Sequence, residues 1–209
     1  MRIEIWSDIL CPFCYIGKRH LEAALKDFSG KDSVEIQWRS FQLDPEQETR
    51  PGMDVFSYLA ERKGISKAQS EAMHTQVTQM AARAGLEYHF EKAVVANSFD
   101  AHRLLQYAKT LGLGDAMKER LFRAYFCEGG NIADANALAD LAKDAGLDRA
   151  AALAVLQDKR FSAEVEADIR EAQTLGITGV PFFVIDRKYA VSGAQPVEVF
   201  LRALQGAGG

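Results

Sequence analysis

Residues 2–7 alternate, with Ile3 and Ile5 facing one way and Glu4 and Trp6 the other, which predicts a strand. Cys11-Pro12 then opens a helix, because proline is favoured at the first helical position, where its missing N–H would be unpaired anyway. Tyr15, Lys18, Leu21, Leu25 and Phe28 recur at helical spacing with Cys14 on the same side, and Ser29-Gly30 marks the stop. Val34, Ile36 and Trp38 alternate with Glu35, Gln37 and Arg39, predicting a second strand. A strand–helix–strand unit of this kind is almost always a right-handed crossover with parallel strands.

The period changes after Leu43-Asp44-Pro45. From about residue 50 to 175 nearly every segment is alanine-rich and helical, with helices expected near 52–63, 66–84, 97–111, 114–127, 134–145, 148–156 and 160–175. Ser66, Asn97 (or Ser98), Asp134 and Asp148 are N-cap candidates. Phe182–Ile185 is a short continuous apolar run, as in a strand buried on both faces. Asp186-Arg187-Lys188 reads as a turn, Tyr189–Ser192 as its hairpin partner, and Pro196 as the start of a last helix bearing Val197, Phe200, Leu201 and Leu204. The order is βαβ, a helical block, then ββα.

Composition narrows the function. The 209 residues are 48% hydrophobic and 26% charged, ordinary globular values that exclude disorder. A net charge of −4 lacks the basic face that polyanion binding needs, which makes nucleic acid a poor partner. No apolar run approaches a membrane span, and Glu4 and Asp8 interrupt any export-signal core, so a cytoplasmic location is expected.

Chemistry concentrates at Cys11-x-x-Cys14. A pair with this spacing, at a helix start after a strand, reads as thioredoxin-like redox chemistry. Helix N–H groups and the positive dipole end would favour a Cys11 thiolate, and Cys14 one turn on could close a disulfide and expel a partner. The competing readings are zinc and inert packing. Zinc needs two more ligands, but there is no second such pair, His20 lies too far round the helix, and Cys127 is isolated.

The runs W-S-D-I-L-C-P-F-C-Y-I-G, N-S-F-D-A-H-R-L, L-F-x-A-Y-F, G-I-T-G-V-P-F-F-V-I-D and V-S-G-A-Q-P together resemble the DsbA-like thioredoxin-fold family, in particular its FrnE-like subgroup, over essentially the whole chain. The resemblance implies an α/β thioredoxin fold split by a large all-helical insertion, with residues 1–48 and 176–209 forming the thioredoxin domain and 49–175 the insertion. It implies a cytoplasmic thiol–disulfide oxidoreductase in which Cys11 attacks and Cys14 resolves. Pro181 would follow a cis bond facing the pair, and Val180, Pro12 and Phe13 would border the substrate groove. From sequence alone, Pro181 could equally be a plain strand-start proline.

No organic cofactor or metal is expected, with glutathione a candidate redox partner beside thiol- or disulfide-bearing proteins. Phe13 stands where DsbA itself carries a histidine, and Asp8 nearby opposes ionisation, so a strongly oxidising pair is not expected. Cys11 is still expected to be exposed and to titrate below a free thiol. Two alternatives remain. Kappa-class glutathione transferases and 2-hydroxychromene-2-carboxylate isomerases share this scaffold but carry serine where Cys11 stands, and a non-catalytic peptide-binding chaperone would need neither cysteine.

His102 reads either as a proton relay beside the pair or as a core histidine on a capped helix, and Trp6 as a sheet residue near the active-site rim. Cys127 reads as a small buried hydrophobe or a regulatory thiol. His74 and His89 have no partner that suggests a site, and Lys18 and Arg19 are expected in solvent.

Overall fold

The computed structural model describes residues 1–208; Gly209, the last residue of the expected second thioredoxin segment, lies outside the described residues. Four strands, β1 (Arg2–Ser7), β2 (Glu35–Ser40), β3 (Phe182–Ile185) and β4 (Tyr189–Ser192), form one sheet in the order β2-β1-β3-β4. β1 runs parallel to β2 and antiparallel to β3, and β3 pairs antiparallel with β4. The two outer segments of the chain therefore meet along β1.

The alternation in β1 decides what covers each face. Ile3 and Ile5 lie opposite Ile185 and Phe183 in the register. Helix α1 (Pro12–Lys26) lies against this side, where Gly17 abuts Phe183, and α9 (Val197–Gly208) sets Phe200 edge-on against the Phe183 ring at 4.7 Å. On the other face the Trp6 indole N–H donates to the Asp168 carbonyl at 3.0 Å, and Ala172 and Ile177 pack on its ring. Asp168 and Ala172 belong to α8 (Ser162–Thr174), the last helix of the insertion. Glu4, buried on the same face, is held by Arg39 at 2.5 Å, and Arg39 reaches on to Asp168 at 2.9 Å.

The insertion runs α2 (Val55–Lys63), α3 (Lys67–Arg83), α4 (Phe99–Thr110), α5 (Gly114–Arg123), α6 (Ala135–Asp144), α7 (Arg149–Gln157) and α8. Its helices start where their caps are. The side chains of Ser66, Asp134 and Asp148 accept backbone N–H groups from Gln69, Ala137 and Ala151. Helix α2 begins later than the periodicity suggests, because Asp54 caps it by accepting from Ser57 N–H at 2.9 Å. At α4, Ser98 occupies the cap position without a side-chain bond, and Asn97 Oδ1 takes the Phe99 N–H at 2.8 Å instead.

The expected helix 114–127 is in fact two pieces. α5 ends at Arg123 and widens into a π-helical turn over Ala124–Glu128. This turn closes at Gly129, whose φ of 74° suits glycine and where a Cβ would stand 2.6 Å from the Lys92 carbonyl oxygen. One hydrophobic core runs unbroken from Ile3 and Phe183 in the sheet to Leu104, Phe122 and Leu138 in the insertion.

Candidate active site

Cys11 is the N-cap residue of α1, with extended backbone (φ −88°, ψ 109°) and Pro12 as the first helical residue. Its N–H bonds the Asp8 carbonyl at 3.2 Å, and its own carbonyl accepts the Cys14 N–H at 3.0 Å. Across the sheet, the Val180–Pro181 peptide is cis. The Cys11 thiol donates to the Val180 carbonyl at 3.4 Å, which joins residues 169 apart in sequence. The Pro181 carbonyl in turn accepts the Gly193 N–H at 2.8 Å. Gly17 lets α1 approach this loop, since a Cβ there would lie 3.1 Å from Pro181 Cγ. Cys11, Cys14, Val180 and Pro181 are thus brought together, and both cysteines are free thiols.

A cleft of about 480 Å³ opens over the pair, within the size range of small-ligand sites. Cys11, Pro12, Phe13, Leu43 and Val180 line it together with Val55, Tyr58, Leu59 and Arg62 of α2 and Met73 and Val77 of α3. The lining is mostly apolar.

Cys11 is only 2% exposed, whereas Phe13 stands in solvent. This corrects the expectation of an exposed, acidic thiol. Burial pushes the Cys11 thiol well above its usual value, and the neighbouring Cys14 and the Asp8 charge push the same way, outweighing the helix terminus.

Behind the pair lies a buried polar group. Burial alone would raise the Asp8 carboxyl, but hydrogen bonds from His102 and the Leu43 N–H hold it below the usual carboxylate range. Burial keeps His102 below its ordinary value against the pull of Asp8, so the neutral ring donates from Nε2 to Asp8 at 3.3 Å. His102 is therefore a core histidine that steadies the loop leading into Cys11, and it does not line the cleft. Trp6 does not line it either. It is fully buried beneath α8 and meets the site only through Val180, which packs on its cluster.

Lys18 is buried, contrary to expectation, and pairs with Glu22, with Glu119 at 3.0 Å and with Asp115 at 3.4 Å; Arg19 shares Glu22 and Glu119. Cys127 is half-buried in the π-helical turn, with its thiol raised by burial. His20 bonds the Gln195 carbonyl at 2.8 Å, and His89 sits between Glu87 and Glu91. His74 does line the cleft, edge-on to Phe56 and Phe90.

Sequence reasoning also missed Tyr88, whose hydroxyl donates to the Pro12 carbonyl at 2.7 Å, and Lys118, fully buried without a hydrogen-bond partner. Tyr88 is placed by Pro12, 76 residues earlier, and Lys118 by Trp38 of β2, so neither position is marked by its own neighbours in the sequence. Among the described residues no cluster of three or more His, Cys, Asp or Glu side chains suits a metal ion, and no helix is long and apolar enough to cross a membrane.

A cysteine pair capping the first helix of a four-stranded sheet, with a cis proline across from it, defines a thioredoxin-fold protein of the redox type. The profile of the DSBA-like thioredoxin domain matches residues 2–205, and the chain belongs to that family of thiol–disulfide oxidoreductases. It is 30% identical over 206 residues to the uncharacterized protein YwbO of Bacillus subtilis (strain 168), covering 98% of this chain and 96% of that protein. A probable DsbA oxidoreductase from Streptomyces coelicolor superposes with a TM-score of 0.93 at 44% identity, covering 99% of this chain and 89% of that one. The cytosolic disulfide reductase DsbM of Pseudomonas aeruginosa shares the fold at 20% identity, with a TM-score of 0.69 over 99% of this chain and 98% of its own.

Proposed function

We propose that this protein is a cytoplasmic thiol–disulfide oxidoreductase that works through Cys11 and Cys14 alone, without an organic cofactor. The observation that carries the reading is that Cys11 lines the cleft with its thiol hydrogen-bonded to the Val180 carbonyl at 3.4 Å and Cys14 one helical turn further along α1. A substrate disulfide entering the cleft meets Cys11 first. The Cys11 thiolate forms a bond to one substrate sulfur, and the other substrate sulfur leaves with the electron pair. Cys14 then attacks Cys11 Sγ, closing the Cys11–Cys14 disulfide and releasing the second substrate thiol. Two thiols are oxidised and one disulfide is reduced; the reverse sequence oxidises a substrate dithiol.

Val180 presents its carbonyl beside the reacting sulfur, and Pro181, having no N–H, leaves that edge free for an extended substrate. Pro12 and Phe13 form the outer lip. The apolar cleft suits both a protein segment and a small thiol such as glutathione.

The test is trapping. Cys14→Ser mixed with scrambled ribonuclease should give a persistent, reducible adduct on a non-reducing gel, and Cys11→Ser should give none. The small-ligand size of the cleft supports a second reading, a glutathione-dependent transferase or isomerase. That reading takes over if neither variant forms adducts while wild type and Cys14→Ser turn over glutathione and an electrophile equally. If both variants match wild type in every assay, the cysteines carry no chemistry and the site is a peptide-binding groove.

A further inference from the structure

Tyr88 stands in the segment between α3 and α4, buried and outside the cleft lining. Its hydroxyl donates to the Pro12 carbonyl at 2.7 Å, across 76 residues of sequence. Among the described residues this is the only hydrogen bond that a side chain gives to the backbone of residues 11–14. Pro12 is the first residue of α1 and one of the two between the cysteines.

Tyr88 is itself firmly braced. Its ring stacks on Phe126 with centroids 4.7 Å apart, and Phe90 meets it edge-on at 5.5 Å. The next residue, His89, donates its N–H to the Phe126 carbonyl at 2.7 Å. Phe126 is fully buried in the π-helical turn that follows α5. A run of direct contacts thus leads from that turn through Tyr88 to the peptide between Cys11 and Cys14. Burial pushes the Tyr88 hydroxyl well above its usual value, so it stays a donor.

Helix ends fray, and Cys11 lies at the end of α1 as its cap, with no side-chain hydrogen bond of the capping kind. Its backbone is held by the Asp8 carbonyl at 3.2 Å and the Cys14 N–H at 3.0 Å. Once Cys11 carries a substrate, closure depends on how often Cys14 Sγ meets Cys11 Sγ. That effective concentration is set by how firmly the linking backbone is held.

We propose that Tyr88 is a positioning residue for the resolving step, holding the Pro12 carbonyl so that Cys14 meets Cys11 in the mixed disulfide. The inference rests on the oxidoreductase reading above and deepens it. Cys14 Sγ forms the bond to Cys11 Sγ while the bond from Cys11 to the substrate sulfur breaks. That sulfur leaves with the electron pair and ends with the proton Cys14 gave up. Tyr88 touches no substrate and takes no proton. Its effect falls on closure and spares the first attack, because attack on an incoming disulfide needs Cys11 alone.

Tyr88→Phe removes one oxygen and keeps the ring and its stacking. In Cys14→Ser protein, adduct formation with oxidised glutathione should proceed at the same rate with or without Tyr88→Phe. In protein that keeps both cysteines, closure of the Cys11–glutathione mixed disulfide, followed by quenched-flow mass spectrometry, should slow about fivefold in Tyr88→Phe, the worth of one net hydrogen bond. Equilibration with glutathione should show disulfide formation less favourable by the same factor, which is about 20 mV. p-Aminophenylalanine at position 88, which restores a donor, should recover most of both.

Closure at the wild-type rate in Tyr88→Phe overturns the proposal. So does an equal slowing of adduct formation and closure, the result of a general loosening of the fold. The Tyr88 13Cζ signal adds a readout on the intact residue. In the glutathione adduct of Cys14→Ser, the hydroxyl proton should stay protected from exchange with water, and a freely exchanging proton overturns the proposal even if Tyr88→Phe fails to fold. A wild type that forms no Cys11 adduct defeats the oxidoreductase reading and this proposal with it. Adducts that form but close no faster with Tyr88 than without it defeat the proposal alone.

Discussion

Replacing Gly17 with alanine tests how tightly α1 is seated on the cis-proline loop. The new methyl would stand 3.1 Å from Pro181 Cγ and 3.1 Å from Phe183 Cζ, where relaxed carbon pairs lie about 3.5–4.0 Å apart. Neither neighbour can yield easily. Phe183 is fully buried and braced edge-on by Phe200, and the Pro181 ring is held by its carbonyl's bond from the Gly193 N–H. Helix propensity alone would favour alanine by about 1 kcal/mol. Overpacking a closed core costs about 1–3 kcal/mol, so a net loss of up to about 2 kcal/mol is expected. For a chain of this size that is a fall in Tm of up to about 8 °C.

Moving α1 outward also lengthens the contact between the Cys11 thiol and the Val180 carbonyl, so Cys11 should alkylate faster in the reduced variant. Thermal unfolding and timed alkylation of reduced Gly17→Ala measure both effects. If the variant gains about 1 kcal/mol, the full propensity benefit, and its alkylation rate is unchanged, then the helix does not press on the loop and the reasoning fails.

The reduction potential should fall nearer thioredoxin's, about −270 mV, than DsbA's, about −120 mV, because the buried Cys11 thiol lacks the ionisation that stabilises the reduced form of strong oxidants. Equilibration with glutathione measures it, and a value above about −150 mV would contradict this reading of the site. Stability should decline on acidification. Burial holds His102 and His74 below the ordinary histidine value, so between the folded and unfolded values the unfolded chain binds more protons. Stability is then complete above about pH 6.5 and is lost as pH falls, by up to about 1.4 kcal/mol per unit for each histidine, with Asp8 adding its share at lower pH. Chemical denaturation between pH 7 and 5 should show this decline, with a shallower slope in His102→Gln. A flat profile in wild type would refute it.

The elements legible in the sequence are those specified locally. The β1 alternation, the Phe182–Ile185 run and the caps at Ser66, Asp134 and Asp148 each act within a few residues, and each appears where its pattern put it. The cysteine pair was legible because its spacing and context are specific, whereas the cis bond before Pro181 was implied only by the family resemblance. What stayed hidden was set by packing between distant segments. Cys11 reads as an exposed helix cap, but folding buries it with its thiol against the Val180 carbonyl, 169 residues away. Lys18 reads as a surface lysine, because a periodic helix gives no sign that its polar side will meet another helix. The π-helical turn at Ala124–Glu128 has the same apolar spacing as a plain helix, and the close approach of Gly129 to Lys92 became visible only in three dimensions.

The position of β1 has a consequence for how the protein is made. Its first neighbour, β2, follows within some 30 residues, but its second, β3, comes about 180 residues later, and the Val180 carbonyl that bonds the Cys11 thiol is 169 residues beyond that cysteine. At about 5–20 residues per second of synthesis, roughly 10–30 seconds separate them on the ribosome. For that interval a reactive thiol and an open strand edge travel unshielded on the nascent chain. Closing the sheet along β1 and covering the Cys11 thiol both wait for the segment that begins at Val180.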